Sequence, residues 1–334
     1  MSSQVTFKST DEKAPQPGEQ VAPAPRLAEA ARPAYTPSHG RAPSEMPLPP
    51  VGLEDLGPAA AIRVVGPDRE KWLQGMQSND LGVAPIGGAV AGVFLNGRGR
   101  LVADCLLWRR AEEVIVTTGE GRFDALYAHL DKLLIMEDCE MSRADGLRRL
   151  RFFPGEVAPA AVPPQVVGSW QPLGLELLLP EAEAQRLLEI LPDRPRPDQI
   201  EALRIALGVP VWGAELDEET TPIEAGLDRM LSFSKGCYVG QEVVAMATYR
   251  GRVSWNLARL EVAGAAPAPG TRLDARSPKS RVTSSTQVGG VGVFLGYVRK
   301  ELIAPGSQVP LEDGRAAEVL GLPYGSQPGA GVCA

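Results

Sequence analysis

The chain has 334 residues, enough for two or three domains with buried cores. Its formal net charge of −7 and 44% hydrophobic content fit a soluble globular protein and exclude nucleic-acid binding through a general basic surface. No apolar run approaches the roughly 20 residues that span a membrane, and Met1–Gln20 lacks the apolar core of a secretory signal.

Residues 1–50 hold 10 of the 31 prolines and few large apolar side chains, and read as a disordered tail. Ordered sequence begins near Leu53. Ala60–Val65 reads as a strand, and Gly66-Pro67-Asp68 opens a helix whose apolar face is Trp72, Leu73 and Met76. Ala89–Leu95 and Arg100–Trp108 read as strands, joined by the hairpin signal Asn96-Gly97-Arg98-Gly99. Val114–Thr118 is a third strand and Arg122–Leu134 a helix with Phe123, Leu126 and Leu130 on one side. Leu147–Phe153 is a strand followed by the Pro/Ala/Val linker Pro154–Pro164, and Trp170–Leu179 with the helix Glu181–Leu191 completes a short α+β unit. The helix Gln199–Leu207 stops at Gly208-Val209-Pro210, and Gln241–Arg250 is a helix ended by Gly251. From Ser254 the texture changes to short β segments, at Trp255–Val262, Thr271–Leu273, Val288–Leu295 and Ala317–Leu322, which suggests a small C-terminal β-barrel. Pro323-Tyr324-Gly325 reads as a turn and Ser326–Ala334 as a frayed end.

Three places carry potential chemistry. Cys237 stands in Lys235-Gly236-Cys237-Tyr238-Val239-Gly240-Gln241-Glu242, beside a lysine and just before a helix, and both features favour a thiolate. The same turn is also compatible with a bound anion or with a small buried hydrophobe. Asp104 interrupts the apolar run Leu101–Trp108; a carboxylate there is either a costly buried group at a functional site or a solvent-facing one paired with a neighbour such as Arg100. Arg204 is a candidate clamp for a carboxylate, the alternative being an internal salt bridge, for example with Glu224. Cys105 and Cys139 have no metal-type spacing and fit core packing, and the four cysteines, with Cys333, are no disulfide framework, so reduced thiols in the cytoplasm are expected. With only His39 and His129 in the chain, a Ser-His-Asp triad or a His-rich metal site is excluded as a leading reading.

The stretch Glu201–Gly251 resembles the YgfZ family of folate-binding proteins, through Leu203-Arg204-Ile205, Gly208-Val209-Pro210, Thr221–Leu227 and Ser234–Glu242. Weaker matches at Gly66–Asp80, Asn96–Asp104, Arg281–Ser284, Gly296–Arg299 and Leu322–Tyr324 extend the resemblance over most of the ordered chain. The resemblance implies an α+β fold shared with the aminomethyltransferase (T protein) of glycine cleavage, a three-domain ring around a central folate. The divisions it suggests are a core domain over 51–146 and 196–252, a small α+β domain over 147–195, and a C-terminal barrel over 253–334. It implies tetrahydrofolate as cofactor, with Asp104, Arg204, Glu224, Tyr238 and Gln241 as folate-binding candidates. Cys237 is implied as the reactive thiol, activated by Lys235. The implied role is support of iron–sulfur cluster assembly or repair in client proteins such as radical enzymes that thiolate tRNA, in the cytoplasm, with no direct nucleic-acid or membrane contact.

Two rivals follow from the same resemblance: a tetrahydrofolate-dependent aminomethyltransferase-like enzyme, and a non-catalytic folate-binding adaptor. T proteins carry aspartate in the place of Cys237 and a pterin-holding glutamate in the place of Ala206, which argues against glycine cleavage. The YgfZ motif usually continues with a basic residue where this chain has Met246; Arg250 or Arg252 is then the available substitute.

Overall fold

The computed structural model describes residues 42–44, 52–153, 168–249, 253–274 and 277–323. The expected tail, the linker 154–164, the C-terminal end, His39, Arg250, Arg252 and Cys333 lie largely or wholly outside those residues.

Fourteen described strands form three sheets. The first has the order β3-β4-β5-β2-β6: β2 (Ala60–Val65), β3 (Ala89–Leu95), β4 (Leu101–Arg109), β5 (Glu113–Thr118) and β6 (Glu140–Arg143). Side chains alternate across a strand, so Ala103, Cys105 and Leu107 of β4 face one way and Asp104, Leu106 and Trp108 the other. The first set packs with Ile62, Val64, Phe94 and Val116 under the helices α1 (Arg69–Met76) and α2 (Phe123–Asp131), through Trp72, Leu73, Leu126 and Leu130. On the opposite face Leu106 and Trp108 meet Ala61, Ile115, Leu147 and Leu178. Val93, Leu95 and Leu101 meet Leu216, Leu227, Met230, Tyr238 and Val244. The β3–β4 hairpin turns on Asn96, whose side-chain oxygen accepts from the amides of Arg98 (2.9 Å) and Arg100 (3.2 Å), and on Gly99 in the left-handed region.

The second sheet has the order β1-β7-β9-β8: β1 (Gly52–Pro58), β7 (Leu147–Phe153), β8 (Gly168–Gln171) and β9 (Gly174–Pro180). The helix α3 (Glu181–Ile190) covers it through Ala184 and Leu187. Within Trp170–Leu179 the chain makes a hairpin, β8 to β9, turned at Pro172 and Leu173. The third sheet has the order β11-β12-β10-β14-β13: β10 (Trp255–Ala263), β11 (Val282–Val288), β12 (Val291–Arg299), β13 (Gln308–Pro310) and β14 (Ala316–Gly321). Here the structure departs from the expected barrel. The strands run in a linear order and no described ladder joins β11 to β13. β13 is three residues long and ends on a proline, which has no N–H to donate to a closing strand. Thr271–Leu273, expected as a strand, contributes a single bridge between Arg272 and Arg281.

The helix α4 (Pro197–Leu207) joins the second and third sheets. Leu203 and Leu207 pack on Phe153 and Leu173. Ile205 packs on Leu257, Val293, Leu295 and Tyr297. It ends on Gly208 at φ 75°, where a Cβ would stand 2.8 Å from the Arg259 side chain and 2.9 Å from Pro323 Cα. Arg259, fully buried, donates to the carbonyls of Ala206 (3.2 Å) and Leu322 (2.9 Å), which places a cation at the helix C-terminus. Among the described residues no helix is long and apolar enough to cross a membrane.

Candidate functional site

The strand alternation that buries Cys105 under α1 and α2 turns Asp104 into a cavity of about 290 Å³. The cavity is bounded by β4 and β5 of the first sheet, by β7 and β9 of the second, and by the segment that leaves α4 at Val209–Trp212. The Trp212 indole N–H donates to Asp104 Oδ1 at 2.5 Å. Burial pushes the Asp104 carboxyl above its ordinary value, against the lowering pull of that hydrogen bond and of Arg149 and Arg229. Burial thus makes Asp104 harder to ionise than an exposed aspartate.

The second-sheet side of the cavity is charged. Arg149 and Arg151, two apart on β7 and so on one face, both donate to Glu176 of β9, at 2.8 Å and 3.0 Å. Burial opposes charge on Glu176, but the two guanidiniums overcome it and hold its carboxyl below the ordinary value. Arg149 also reaches the Thr118 carbonyl on β5 (3.2 Å), and Arg151 pairs with Glu54 of β1 (2.8 Å). Among the described residues, the buried Nε atoms of Arg149 and Arg151 have no hydrogen-bond partner.

The cysteine motif lies elsewhere, against the β3–β4 hairpin. Gly240 (φ 83°) makes the approach: a Cβ there would stand 2.9 Å from the Asn96 carbonyl oxygen and from Leu95 Cβ. The Val239 amide donates to the Gly75 carbonyl (3.2 Å). Tyr238 is buried in the core with Val93, Leu95 and Leu101, and burial pushes its hydroxyl up to about 12. Cys237 is exposed and stands four positions before Gln241, the first residue of α5 (Gln241–Tyr249). Lys235 is anchored on backbone carbonyls. Its ammonium donates to the carbonyls of Gln74 (2.6 Å), Gln77 (2.7 Å) and Asn79 (2.7 Å), which caps the C-terminus of α1. Those are all three donors of an ammonium, so none is left for the thiol. Burial pulls Lys235 down to about 8, opposed by Asp80.

Of the catalytic and folate-binding candidates Cys237, Lys235, Asp104, Arg204, Glu224, Tyr238 and Gln241, Asp104 alone lines the cavity. All five N–H donors of Arg204 are used inside the protein: two on Glu201 (2.7 Å each), and one each on the Val209 carbonyl (2.7 Å), Glu215 (3.1 Å) and Ser284 (2.6 Å). Glu224 caps Thr221 (3.0 Å) and pairs with Lys279 (3.0 Å) and Arg100 (3.7 Å). Arg100 thus pairs with Glu224 rather than with Asp104. Gln241 is half-buried at the start of α5, away from the cavity lining. Met246 is exposed on α5.

Sequence reasoning missed Trp212, Glu176, Arg149 and Arg151. Glu176 carries the signal used for Asp104, an acid inside the apolar run Gly174-Leu175-Glu176-Leu177-Leu178-Leu179, and Arg149/Arg151 carry period-2 spacing. Among the described residues, no group of three or more His, Cys, Asp and Glu side chains is placed to hold a metal ion.

No protein-family model matches the chain. It is 28% identical over 241 residues to the tRNA-modifying protein YgfZ of Serratia proteamaculans, which covers 65% of this chain and 72% of that one. It is 27% identical over 228 residues to an aminomethyltransferase of Chlorobium luteolum, covering 57% of this chain and 62% of that one, so the match spans less than two thirds of the Chlorobium protein. Among solved structures, the fold matches the glycine cleavage system aminomethyltransferase T of Bartonella henselae with a TM-score of 0.65 at 19% identity, over 83% of this chain and 88% of that one.

Proposed function

Starting from a chain homologous to the YgfZ proteins and the aminomethyltransferases, we propose that it is a folate-binding factor of the YgfZ kind, working in the cytoplasm to support iron–sulfur proteins such as tRNA-thiolating radical enzymes. The observation that carries this reading is the cavity: a carboxyl desolvated toward its neutral form, an indole beside it, and arginines at the far side. The residues present fit a folate. A pterin is a flat heterocycle with N–H donors and ring-nitrogen acceptors on its edge, and the Asp104 carboxyl can accept from the former. Arg149 and Arg151 line the cavity and set positive charge beside it. When bound, tetrahydrofolate supplies nitrogens that carry a one-carbon unit. The chain's part is to orient the ring at the Asp104 carboxyl and to exclude water.

In this reading the three sheets are the three units of the ring, and Cys237 is the exposed thiol offered to a client from the rigid turn over the hairpin. Lys235 serves the thiol by fixing that turn to α1 rather than by contact. Arg204, Glu224, Tyr238 and Gln241 act as its frame or as contacts made only on binding.

The test is deletion followed by complementation. Cluster-dependent enzyme activity is expected to return with the wild-type gene and not with Cys237→Ser; full rescue by Cys237→Ser removes the thiol from the account. Calorimetry with tetrahydrofolate is expected to show binding that Asp104→Asn weakens at least ~10-fold, the worth of one hydrogen bond to a buried group.

The fold shared with the Bartonella protein favours a second reading, aminomethyl transfer to tetrahydrofolate. Against it, Ala206, at the position of the T-protein glutamate, is buried in α4 and offers no carboxyl. Formation of methylene-tetrahydrofolate from an aminomethyl donor would establish that reading.

A further inference from the structure

Trp212 reaches Asp104 from 108 positions away in the sequence, and its placement is fixed from three sides. The turn that carries it is closed on Val211, whose carbonyl accepts from the amides of Glu215 and Leu216 (3.0 Å each). The Glu215 carboxylate returns to the Val211 amide (3.1 Å) and is itself held by Arg204 (3.1 Å) and Ser284 (2.6 Å), while the Tyr297 hydroxyl donates to the Glu215 carbonyl (2.8 Å). Arg122 lies over the indole ring at 4.1 Å and is fixed by the Val102 carbonyl (2.8 Å and 3.0 Å) and Glu218 (2.5 Å). Such an investment in orienting one side chain exceeds what a cavity wall needs.

We propose that Trp212 is a positioning residue: its indole N–H fixes one oxygen of Asp104, so that the other oxygen is presented to the N–H and ring-nitrogen edge of a planar heterocycle of the folate class. Naming that class rests on the reading above; the Trp212–Asp104 coupling does not. An indole N–H is the suitable donor because it is neutral and cannot accept, so it holds the carboxyl without forcing it to ionise as a cation would. The other charged groups about the cavity are Arg149 and Arg151 of β7, Glu176 of β9 and Arg229; Arg122 stands behind the indole. Trp212→Phe substitutes none of them, and removes the indole N–H together with the pyrrole half of the ring.

Two measurements on the full chain decide the proposal. In carbon NMR of protein labelled at the aspartate carboxyls, with Asp104 assigned through Asp104→Asn, the Asp104 titration midpoint is expected to rise by about one pH unit in Trp212→Phe, the effect of losing one hydrogen bond to the charged form. In the wild-type chain the Trp212 indole N–H resonance is expected to follow the same titration, an arm that needs no Trp212 variant. An unchanged midpoint, or an indole resonance blind to Asp104, overturns the proposal. In a double-mutant cycle with tetrahydrofolate, Trp212→Phe is expected to weaken binding about 5- to 10-fold alone and not at all on top of Asp104→Ala, which removes the acceptor of the indole N–H. Additive losses would make Trp212 a wall acting independently of Asp104 and would also overturn it. If the wild-type chain does not bind tetrahydrofolate, the folate reading fails, and the NMR arms alone decide the role of Trp212.

Discussion

At the scale of single residues, Asp104 and Gly240 show how the site is set against stability. Asp104 ionises less readily folded than unfolded, because burial outweighs its hydrogen bond. Below the unfolded value of 3.8 both states are protonated and nothing is lost. As pH rises, the unfolded chain ionises first, and folding is progressively disfavoured until the folded carboxyl ionises too. Asparagine keeps an acceptor for Trp212 without the charge. Asp104→Asn is therefore expected to stabilise the ligand-free protein at pH 7 by about 1 kcal/mol, an ordinary single-site effect, with the gain vanishing toward pH 3. Urea midpoints across pH check both sign and window. The two motif glycines make a sharper contrast. Gly240→Ala adds a Cβ in the left-handed region against the Asn96 carbonyl, and is expected to cost about 1–3 kcal/mol. Gly236 has open space where a Cβ would go, so Gly236→Ala should stay within about 0.5 kcal/mol. Comparable losses from the two would mean the motif does not rest on the hairpin as described.

At the scale of elements, α4 and the turn after it connect the cavity to the third sheet. Arg204 is the link, 4% exposed and shared between Glu201, Glu215 and Ser284. Arg204→Ala leaves the fully buried Glu215 carboxylate without its cation and is expected to cost about 3–5 kcal/mol. Arg204→Ala with Glu215→Gln should recover a good part of that, read as a non-additive cycle by denaturant unfolding. The same elements show what could be read beforehand. α4, β2, β3 and β7 were legible from periodicity and from stop signals such as Gly208. β1 was not, because Gly52, Asp55, Gly57 and Pro58 mark it as loop; it forms because β7 offers a partner edge. β11 was hidden by its polar run Thr283–Gln287, which tertiary pairing with β12 overrides. Asp104 could be found because a local pattern exposes it. Trp212 could not, since nothing in the chain near either residue encodes a contact 108 positions long. Lys235 was legible as important but not as a helix cap, because its partners Gln74, Gln77 and Asn79 belong to a distant element.

At the scale of the whole molecule, the cavity sits where separately built units meet. β4 and β5 come from the first sheet and β7 and β9 from the second, while the Trp212 turn is tied to the third through Glu215 and Ser284. Arg149 spans the first two sheets by donating to Thr118 on one and Glu176 on the other. A ligand held there makes its full set of contacts only when elements of all three sheets are in place, so its binding energy stabilises their joint packing. With tetrahydrofolate at 100 times its dissociation constant, the gain is about 2.7 kcal/mol. For a chain of this size that is a rise in Tm of roughly 5 °C, by extension from the scaling of smaller domains. Calorimetric scans are expected to show this rise in one cooperative transition, and Asp104→Asn, binding ~10-fold more weakly, should cut it to about half at the same ligand concentration. A ligand bound outside the junction would raise Tm equally in Asp104→Asn. One that engaged a single sheet would split the transition, moving one part upward and leaving the other in place. Either result would separate folate binding from the cavity and return Asp104 to a structural role.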